Sequence, residues 1–238
     1  MKTKIYKVVV SYSIMLILLL TNCCVVGGKL RTESETVKLD GAESVSIEIN
    51  MGAGKLNISG GADELLNANF LYRVRAWKPK INYNVSDNKG VLIIEQPGVV
   101  RIPVQGYRYE WDLRFNDDVP MDLSVILGAG ENNLKLGSLN LTSLDIEMGV
   151  GELKVDLTGE WKNDLDANIE CGVGRMTLML PSNVGVRVDV DKGIGTINAV
   201  GLKKDGDFYV NDAYETSLVT LSVELDAGIG EINLEIIR

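Results

Sequence analysis

The sequence predicts an all-β protein, a β-solenoid-like stack of repeats of about 21 residues in which each repeat has two strands joined at a Gly-x-Gly corner. Gly-x-Gly occurs six times, and the steps between the last five occurrences are 21, 23, 21 and 35 residues. The flanking residues alternate between apolar and polar with period two, as half-buried strands do. The apolar positions shift by one residue across the glycines, so the chain must bend there to keep both flanks on one core.

Twelve glycines would form these corners, because glycine at a positive φ or in a bulge permits such a bend. The predicted corner glycines are Gly52, Gly54, Gly128, Gly130, Gly149, Gly151, Gly172, Gly174, Gly193, Gly195, Gly228 and Gly230. Positions are counted from the first glycine of each pair. We predict that the residue at −3 and the residue between the glycines face the core before the bend, and that the residues at +4 and +6 face it after the bend. Matching residues at matching positions favour parallel stacking of coils. An antiparallel β-sandwich of hairpins is the alternative.

A Gly-x-Gly pair can also cradle a phosphate, as in dinucleotide-binding and P-loop proteins. Those sites need a helix N-terminus directly after the glycine loop. Here a strand pattern follows each pair, no third spaced glycine is present, and no Gly-Lys-Ser/Thr occurs. The calcium-binding glycine repeat with its aspartate is also missing. We therefore predict no nucleotide, no metal and no other cofactor.

The composition restricts the chemistry open to the chain. Its 238 residues are 45% hydrophobic and 6% aromatic, and they include no histidine. The commonest general base and zinc ligand is therefore missing. The formal net charge of −9 argues against nucleic acid as a partner.

Residues 1–22 are predicted to be a signal peptide. Lys2, Lys4 and Lys7 precede an apolar stretch, VVVSYSIMLILLL, that is short for a membrane span. The following LTNC resembles a bacterial lipobox, in which Cys23 would carry the lipid and become the first mature residue. A non-lipidated signal peptide and an uncleaved short anchor are the alternatives. Cleavage before Cys23 removes three lysines and no acids, so the charge would change from −9 to −12.

The mature chain is predicted to have three segments. Residues 23–36 are a polar, lipidated tether, residues 37–107 a first β unit, and residues 108–238 a unit with the five later corners. In the first unit, ADELLNANF is the only stretch with weak helical character. The linking segment GYRYEWDLRFNDDVPMDL concentrates aromatic residues, which is more typical of a hydrophobic seal between units than of a binding face.

The last part of the chain contains an insertion and a terminal strand. The long step of 35 residues holds LKKDGDFYVNDAYETS, predicted to be a solvated hairpin with Asp-Gly at its tip, with a recognition element as the alternative. The terminal EINLEIIR is predicted to be an outer edge strand that Glu231, Glu235 and Arg238 protect from further pairing. Cys171 is predicted to be a small buried hydrophobic residue.

Acidic residues stand two positions before four of the corners. They are Glu147, Glu170, Asp191 and Asp226. Stacked coils would align them in a ladder, and their parity opposite to the buried positions predicts an outward-facing, solvated row. A weak divalent-ion site is the alternative. Lys154, Arg175 and Arg187 are predicted to be solvated strand-face residues.

Two strings carry a family resemblance. INMGAGKLNISGGADELLNANFLYRV is similar to the amino-terminal domain of the toast-rack family of bacterial envelope proteins. TLMLPSNVGVRVDVDKGIGTINAVG is similar to the carboxy-terminal domain of LiaF-like proteins, which respond to cell-wall-active antibiotics. The resemblance covers almost everything after the tether and marks no catalytic residue. It implies an envelope protein, with a lipobox in place of the membrane spans by which LiaF acts on a sensor kinase.

Two functions from different classes follow. The first is a non-enzymatic, lipid-anchored cell-envelope protein that binds a protein partner or takes part in the envelope-stress response. The alternative is a β-helix protein that binds or processes envelope glycans, although a glycosidase needs two carboxylates facing one cleft. The missing histidine and the lack of any spaced catalytic set favour the first. The expected partners are the membrane, through the lipid, and an envelope protein, with no nucleotide and no nucleic acid.

Overall fold

The computed structural model describes residues 29–98 and 108–237. These residues form thirteen β-strands and one 3-10 turn, and no helix among them is long and apolar enough to cross a membrane. The strands are β1 (Arg31–Val37), β2 (Ser44–Ser59), β3 (Leu66–Tyr72), β4 (Lys80–Ser86), β5 (Lys89–Glu95), β6 (Glu110–Phe115), β7 (Met121–Lys135), β8 (Leu141–Asp156), β9 (Leu165–Pro181), β10 (Gly185–Val200), β11 (Lys203–Asp205), β12 (Phe208–Val210) and β13 (Thr220–Ile237). The 3-10 turn is Arg75–Trp77.

Six long strands stack side by side in the order β2, β7, β8, β9, β13 and β10, and every neighbouring pair among them is parallel. Each strand is continuous through its Gly-x-Gly, so the two strands predicted for each repeat are two halves of one bent strand. A few residues then return the chain to the next coil, as between the end of β7 at Lys135 and the start of β8 at Leu141. This arrangement confirms the all-β, solenoid-like fold with parallel stacking.

The register places like residues on like. Ile146 on β8 pairs with Val125 on β7 and Ile169 on β9 before the bend. Leu153 pairs with Met176 after it. These side chains are buried between the two halves of the bent sheet, where they form one continuous core. Parallel in-register stacking therefore explains why the apolar positions repeat in the sequence.

The corner glycines lie where the stacked backbones come closest. A Cβ on Gly174 would be 1.8 Å from the carbonyl oxygen of Gly151, and a Cβ on Gly230 would be 1.8 Å from that of Gly174. Gly174 also has a φ of +151°. Close approach of neighbouring backbones is thus a stronger reason for glycine here than the bend of a single strand.

The residue between the two glycines was predicted to face the core, and from β8 onward this is wrong. Val150, Val173, Ile194 and Ile229 are 53%, 43%, 74% and 51% exposed. The inner side of the bend is already filled by the residue just before each pair, such as the buried Met148 and Cys171. The residue between the glycines therefore lies on the outer side. On β2 the equivalent Ala53 is buried.

The strand order also differs from the expectation at the end of the chain. The terminal strand β13 was predicted to be an outer edge, but it lies between β9 and β10, and β10 is nearer the edge. The apolar set of β10 is weaker, because Lys192 stands where Met148 and Cys171 stand in other strands, and Ala199 pairs with Leu234. Among the six stacked strands, the one that contributes least to the core thus lies at the end of the stack.

The insertion after β10 forms the predicted hairpin. Strands β11 and β12 pair antiparallel, and Gly206 at the tip has a φ of +60°. β12 also pairs antiparallel with Arg187–Asp189 of β10. The hairpin therefore covers part of the first half of β10, and Arg187 lies 4.2 Å from the ring centre of Phe208 rather than being simply solvated.

Two N-terminal segments differ from their predictions. Residues 31–36 were assigned to the tether, but they form most of β1, which pairs antiparallel with β3. β3 itself lies in the stretch with weak helical character; its alternating burial, set by pairing with both β1 and β6, favours a strand. Lys78 donates a hydrogen bond to Glu33 at 2.7 Å, and with the Tyr72 hydroxyl it lowers the pKa of Glu33.

The aromatic residues at the start of β6 form a buried cluster, as predicted for a hydrophobic seal. Trp111 packs edge-on against Phe70 and Tyr109, with ring centroids 5.5 and 5.8 Å apart. The Tyr109 hydroxyl donates a hydrogen bond to the carbonyl of Trp77 at 2.8 Å. Tyr109 also packs edge-on against Trp77 of the 3-10 turn. The cluster therefore connects β3, β6 with the residue before it, and the 3-10 turn, and it fixes the N-terminal strands to the end of the parallel stack.

Asn132 is a polar residue within the core of the parallel stack. Asn132 occupies the position taken by Leu56 and Leu153 in the neighbouring strands, and it is 4% exposed. Its Nδ2 lies 3.6 Å from the sulfur of Met148, and its Oδ1 has no hydrogen-bond partner among the described residues. We expect Asn132→Leu to raise the free energy of unfolding by about 1–2 kcal/mol, since a buried unpaired polar atom is removed. Urea denaturation measures this, and a loss of stability would show that the amide is satisfied.

Candidate functional site

An exposed aliphatic ridge follows from the outward position of the residues between the glycines. Val150, Val173, Ile229 and Ile194 lie on adjacent strands in direct register, and we call these four residues the corner ridge. Neighbouring strands are about 4.8 Å apart, so the four side chains form a nearly continuous apolar line. The half-buried Ala129 continues this line on β7.

A groove runs along one side of the corner ridge. Its outer wall is the acidic row, made of Glu147, Glu170, Asp226 and Asp191, which pair in that order across β8, β9, β13 and β10. All four side chains are exposed, as predicted for a solvated row. The floor is backbone, because Gly149, Gly172, Gly228 and Gly193 have no side chains to fill it. The groove has a volume of about 640 Å³.

A second groove of about 800 Å³ lies on the other side of the corner ridge. Its outer wall holds Glu131, Glu152, Arg175 and Glu231. Arg175 Nε lies 3.2 Å from Glu231 Oε2, so this arginine is ion-paired rather than simply solvated. A hydrogen bond from Asn233, together with the Arg175 guanidinium, lowers the pKa of Glu231. Lys154 is exposed on the strand face, as predicted.

This arrangement has the features of a binding surface. The ridge offers apolar area to a partner, while the carboxylates on both sides favour basic groups at the rim of the contact. The carboxylates lie on an open surface, whereas a glycosidase brings two of them to one cleft. Within residues 29–98 and 108–237, no three acidic or cysteine side chains are grouped to hold a metal ion. Cys171 is buried, and burial raises the pKa of its thiol.

The sequence pattern indicated the acidic row but not the ridge. A signal was present in the sequence, because the residue between the glycines grows from Ala53 and Ala129 to Val150, Val173 and then isoleucine. A packed inner bend with nearly constant shape does not accommodate such growth, whereas an exposed position does. Cys23, the predicted lipid anchor, lies outside the described residues.

The chain matches a family of known proteins over part of its length. Residues 26–179 match the family described as the N-terminal domain of toast_rack, DUF2154. This match extends across the predicted boundary between the two β units, at residues 107 and 108. No curated protein matches the chain significantly.

Two solved structures show the extent of the likeness. A Clostridium sporogenes protein provisionally described as a cell adhesion protein is 38% identical, with a TM-score of 0.85; the alignment covers 88% of this chain and 100% of that one. A Bacteroides fragilis protein provisionally described as an adhesin is 15% identical, with a TM-score of 0.30, over 86% and 97% of the two chains. The second likeness is too weak to support an inference. With its family match spanning more than half its length, the chain belongs to the toast-rack family.

Proposed function

We propose that this chain is a non-enzymatic adhesion protein of the bacterial cell envelope, which binds a macromolecular partner through the corner ridge and its two grooves. The observation that carries the proposal is the ridge itself, four large aliphatic side chains exposed in register on adjacent strands. Exposed apolar area in a continuous line is typical of interaction sites. The provisional description of the Clostridium sporogenes relative as a cell adhesion protein is consistent with this role.

Attachment to the membrane through a lipid on Cys23 is the second part of the proposal. Because β1 begins at Arg31, only seven residues lie between that strand and Cys23. The eight Cα-to-Cα steps from Cys23 to Arg31 span about 28 Å at full extension. A lipidated chain would therefore hold the bent sheet close to the bilayer, which suits a partner in the same envelope. One such partner would be a component of the envelope-stress response, and the chain would then have a LiaF-like role.

Replacing two ridge residues tests the adhesive role. We expect the double variant Val173→Asn, Ile229→Asn to reduce attachment of cells displaying the full-length chain to a layer of cells of the producing species. Two lost apolar contacts at the centre of an interface correspond to about tenfold weaker binding or more. Both side chains are about half exposed, so folding should be affected little. The measurement is the number of attached cells after a fixed wash.

The matched control is Val91→Asn. Val91 is 48% exposed but lies on β5, away from the ridge. Attachment equal to the wild type in the double variant would contradict the proposal. Soluble envelope glycan added to the wild type provides another arm: inhibition by glycan would favour the glycan-binding alternative, and inhibition only by envelope protein would favour the protein partner.

Crosslinking in living cells tests the anchored form. The full-length chain and its Cys23→Ser variant are crosslinked, and the proteins recovered with each are identified. We expect the wild type to recover a defined envelope protein that the variant does not. Recovery of a sensor kinase would support the LiaF-like role, and recovery of bulk envelope material alone would contradict a specific protein partner.

A further inference from the structure

One strand edge of the sheet is open along half its length. β13 pairs with one side of β10, and on the other side β12 pairs only with Arg187–Asp189. Among the described residues, no strand pairs with the outer edge of the second half of β10, from Gly193 to Val200. The N–H and C=O groups of an unpaired edge are a template for another strand.

This open edge lacks the usual protection. No charged residue occurs between Lys192 and Lys203, and no proline is present there. In contrast, β1 at the other end of the stack carries the partly or fully exposed Arg31, Glu33 and Glu35. Natural sheets use such charges to prevent edge-to-edge pairing. The neutral edge of β10 is therefore suited to pairing, and the charged edge of β1 is not.

The core also ends without cover at this edge. Ile197 and Ala199 pack against the core but remain only half-buried. On the outer face, Ile194 and Val200 are 74% and 62% exposed. The hairpin of β11 and β12 covers only the first half of β10. A solenoid end that exposes apolar side chains needs a cap or a partner.

The edge segment reads alike in both directions. Its sequence is GIGTINAVG, from Gly193 to Gly201, with Ile197 at the centre. Residues at equal distances on the two sides of Ile197 are of the same class. The pairs are Thr196 and Asn198, Gly195 and Ala199, Ile194 and Val200, and Gly193 and Gly201. Two copies paired antiparallel about Ile197 would place every residue opposite one of its own kind.

We propose that a second copy of this chain pairs with the open edge of β10, antiparallel and in register about Ile197. A two-fold axis through Ile197, normal to the sheet, keeps the inner faces of both copies on the same side. Ile194 then lies opposite Val200 of the second copy on the outer face, and Ile197 meets its own equivalent on the inner face. The interface is isologous, so association stops at two copies.

The pairing joins the two cores into one; it does not need the adhesive role of the corner ridge, but it rests on the proposed membrane anchor. Its area is that of a single strand pair with the adjoining apolar side chains, which is small for a stable dimer in dilute solution. Anchoring both copies in one membrane raises their effective concentration. Each corner ridge would then end at the interface, with Ile194 of one copy opposite Val200 of the other.

Cysteine crosslinking in membranes tests the register. The full-length chain carries Cys24→Ser throughout, so that this thiol does not react, and Cys171 is buried. We expect Ile197→Cys to form a disulfide on mild oxidation and to shift the chain from the monomer to the dimer position on a non-reducing gel. Directly opposed residues in an antiparallel pair have Cα atoms about 5 Å apart, within the range of a disulfide.

The control variant is Val200→Cys, at the same edge and more exposed. Its two copies would lie about 20 Å apart, six residues along the strand, and should not crosslink. Co-expression of Ile194→Cys with Val200→Cys chains should restore the dimer, because these positions face each other. Resistance to protease shows that each variant is folded. Folded Ile197→Cys without a dimer, or equal crosslinking at Ile197 and Val200, would overturn the proposal.

Discussion

Gly174→Ala should lower the free energy of unfolding by about 3 kcal/mol or more, since an added Cβ would overlap the neighbouring backbone. That atom would lie 1.8 Å from the carbonyl oxygen of Gly151, which is itself fixed by pairing on both sides. Neither strand can move alone, because each belongs to a stack of six. We therefore expect the strain to be shared by the neighbouring strands at this corner. Urea denaturation followed by circular dichroism measures the loss.

Gly61→Ala is the matched control for this substitution. Gly61 also has a positive φ, of +87°, but a Cβ there meets nothing within 4 Å. The free energy of unfolding of Gly61→Ala should fall only by the conformational cost of a positive φ, about 1 kcal/mol. If both variants lost the same amount, the requirement for glycine at the corners would be conformational rather than steric.

Trp111→Ala should lower the free energy of unfolding by about 3–5 kcal/mol, as expected when a fully buried aromatic side chain is removed. Trp111 is 0% exposed and packs against Phe70 and Tyr109. Because β6 pairs with both β3 and β2, we expect the N-terminal strands to loosen before the parallel stack does. Hydrogen exchange of the two regions distinguishes local from global opening.

Trp111→Phe is the control for the Trp111 cavity. The indole Nε1 of Trp111 has no hydrogen-bond partner among the described residues. Phenylalanine keeps a ring in the cluster and removes this unpaired group, so its loss should be less than half that of alanine. An equal loss in the two variants would mean that the indole, rather than the presence of a ring, holds these strands.

The repeat was readable in the sequence because stacking is in register. Each coil contacts only its neighbours, so equivalent residues such as Ile146 and Ile169 meet and must be of similar kind. Close approach of the neighbouring backbone requires glycine at Gly151 and Gly174, which the shift in apolar positions did not indicate. The Asp-Gly hairpin after β10 was readable because a short turn depends on local residues.

Three features could not be found in this way. Residues 31–36 look like a polar tether, and only pairing with β3 makes them a strand. The partial exposure of Val150 and Val173 depends on which residue fills the inside of the bend, which period-two alternation does not describe. The acidic row was predicted as a row, but its place beside an apolar ridge became visible only once the ridge was found to face outward.

The sequence by itself determined the class of fold and the unit that repeats, since these follow from contacts between equivalent positions. The tertiary structure alone decided that β13 enters between β9 and β10, and therefore that the neutral segment from Gly193 to Gly201 lies at an open edge. The physical reason is that strand order depends on competition between distant segments for the same pairing surface. The local sequence of one strand does not determine which of these segments pairs with it.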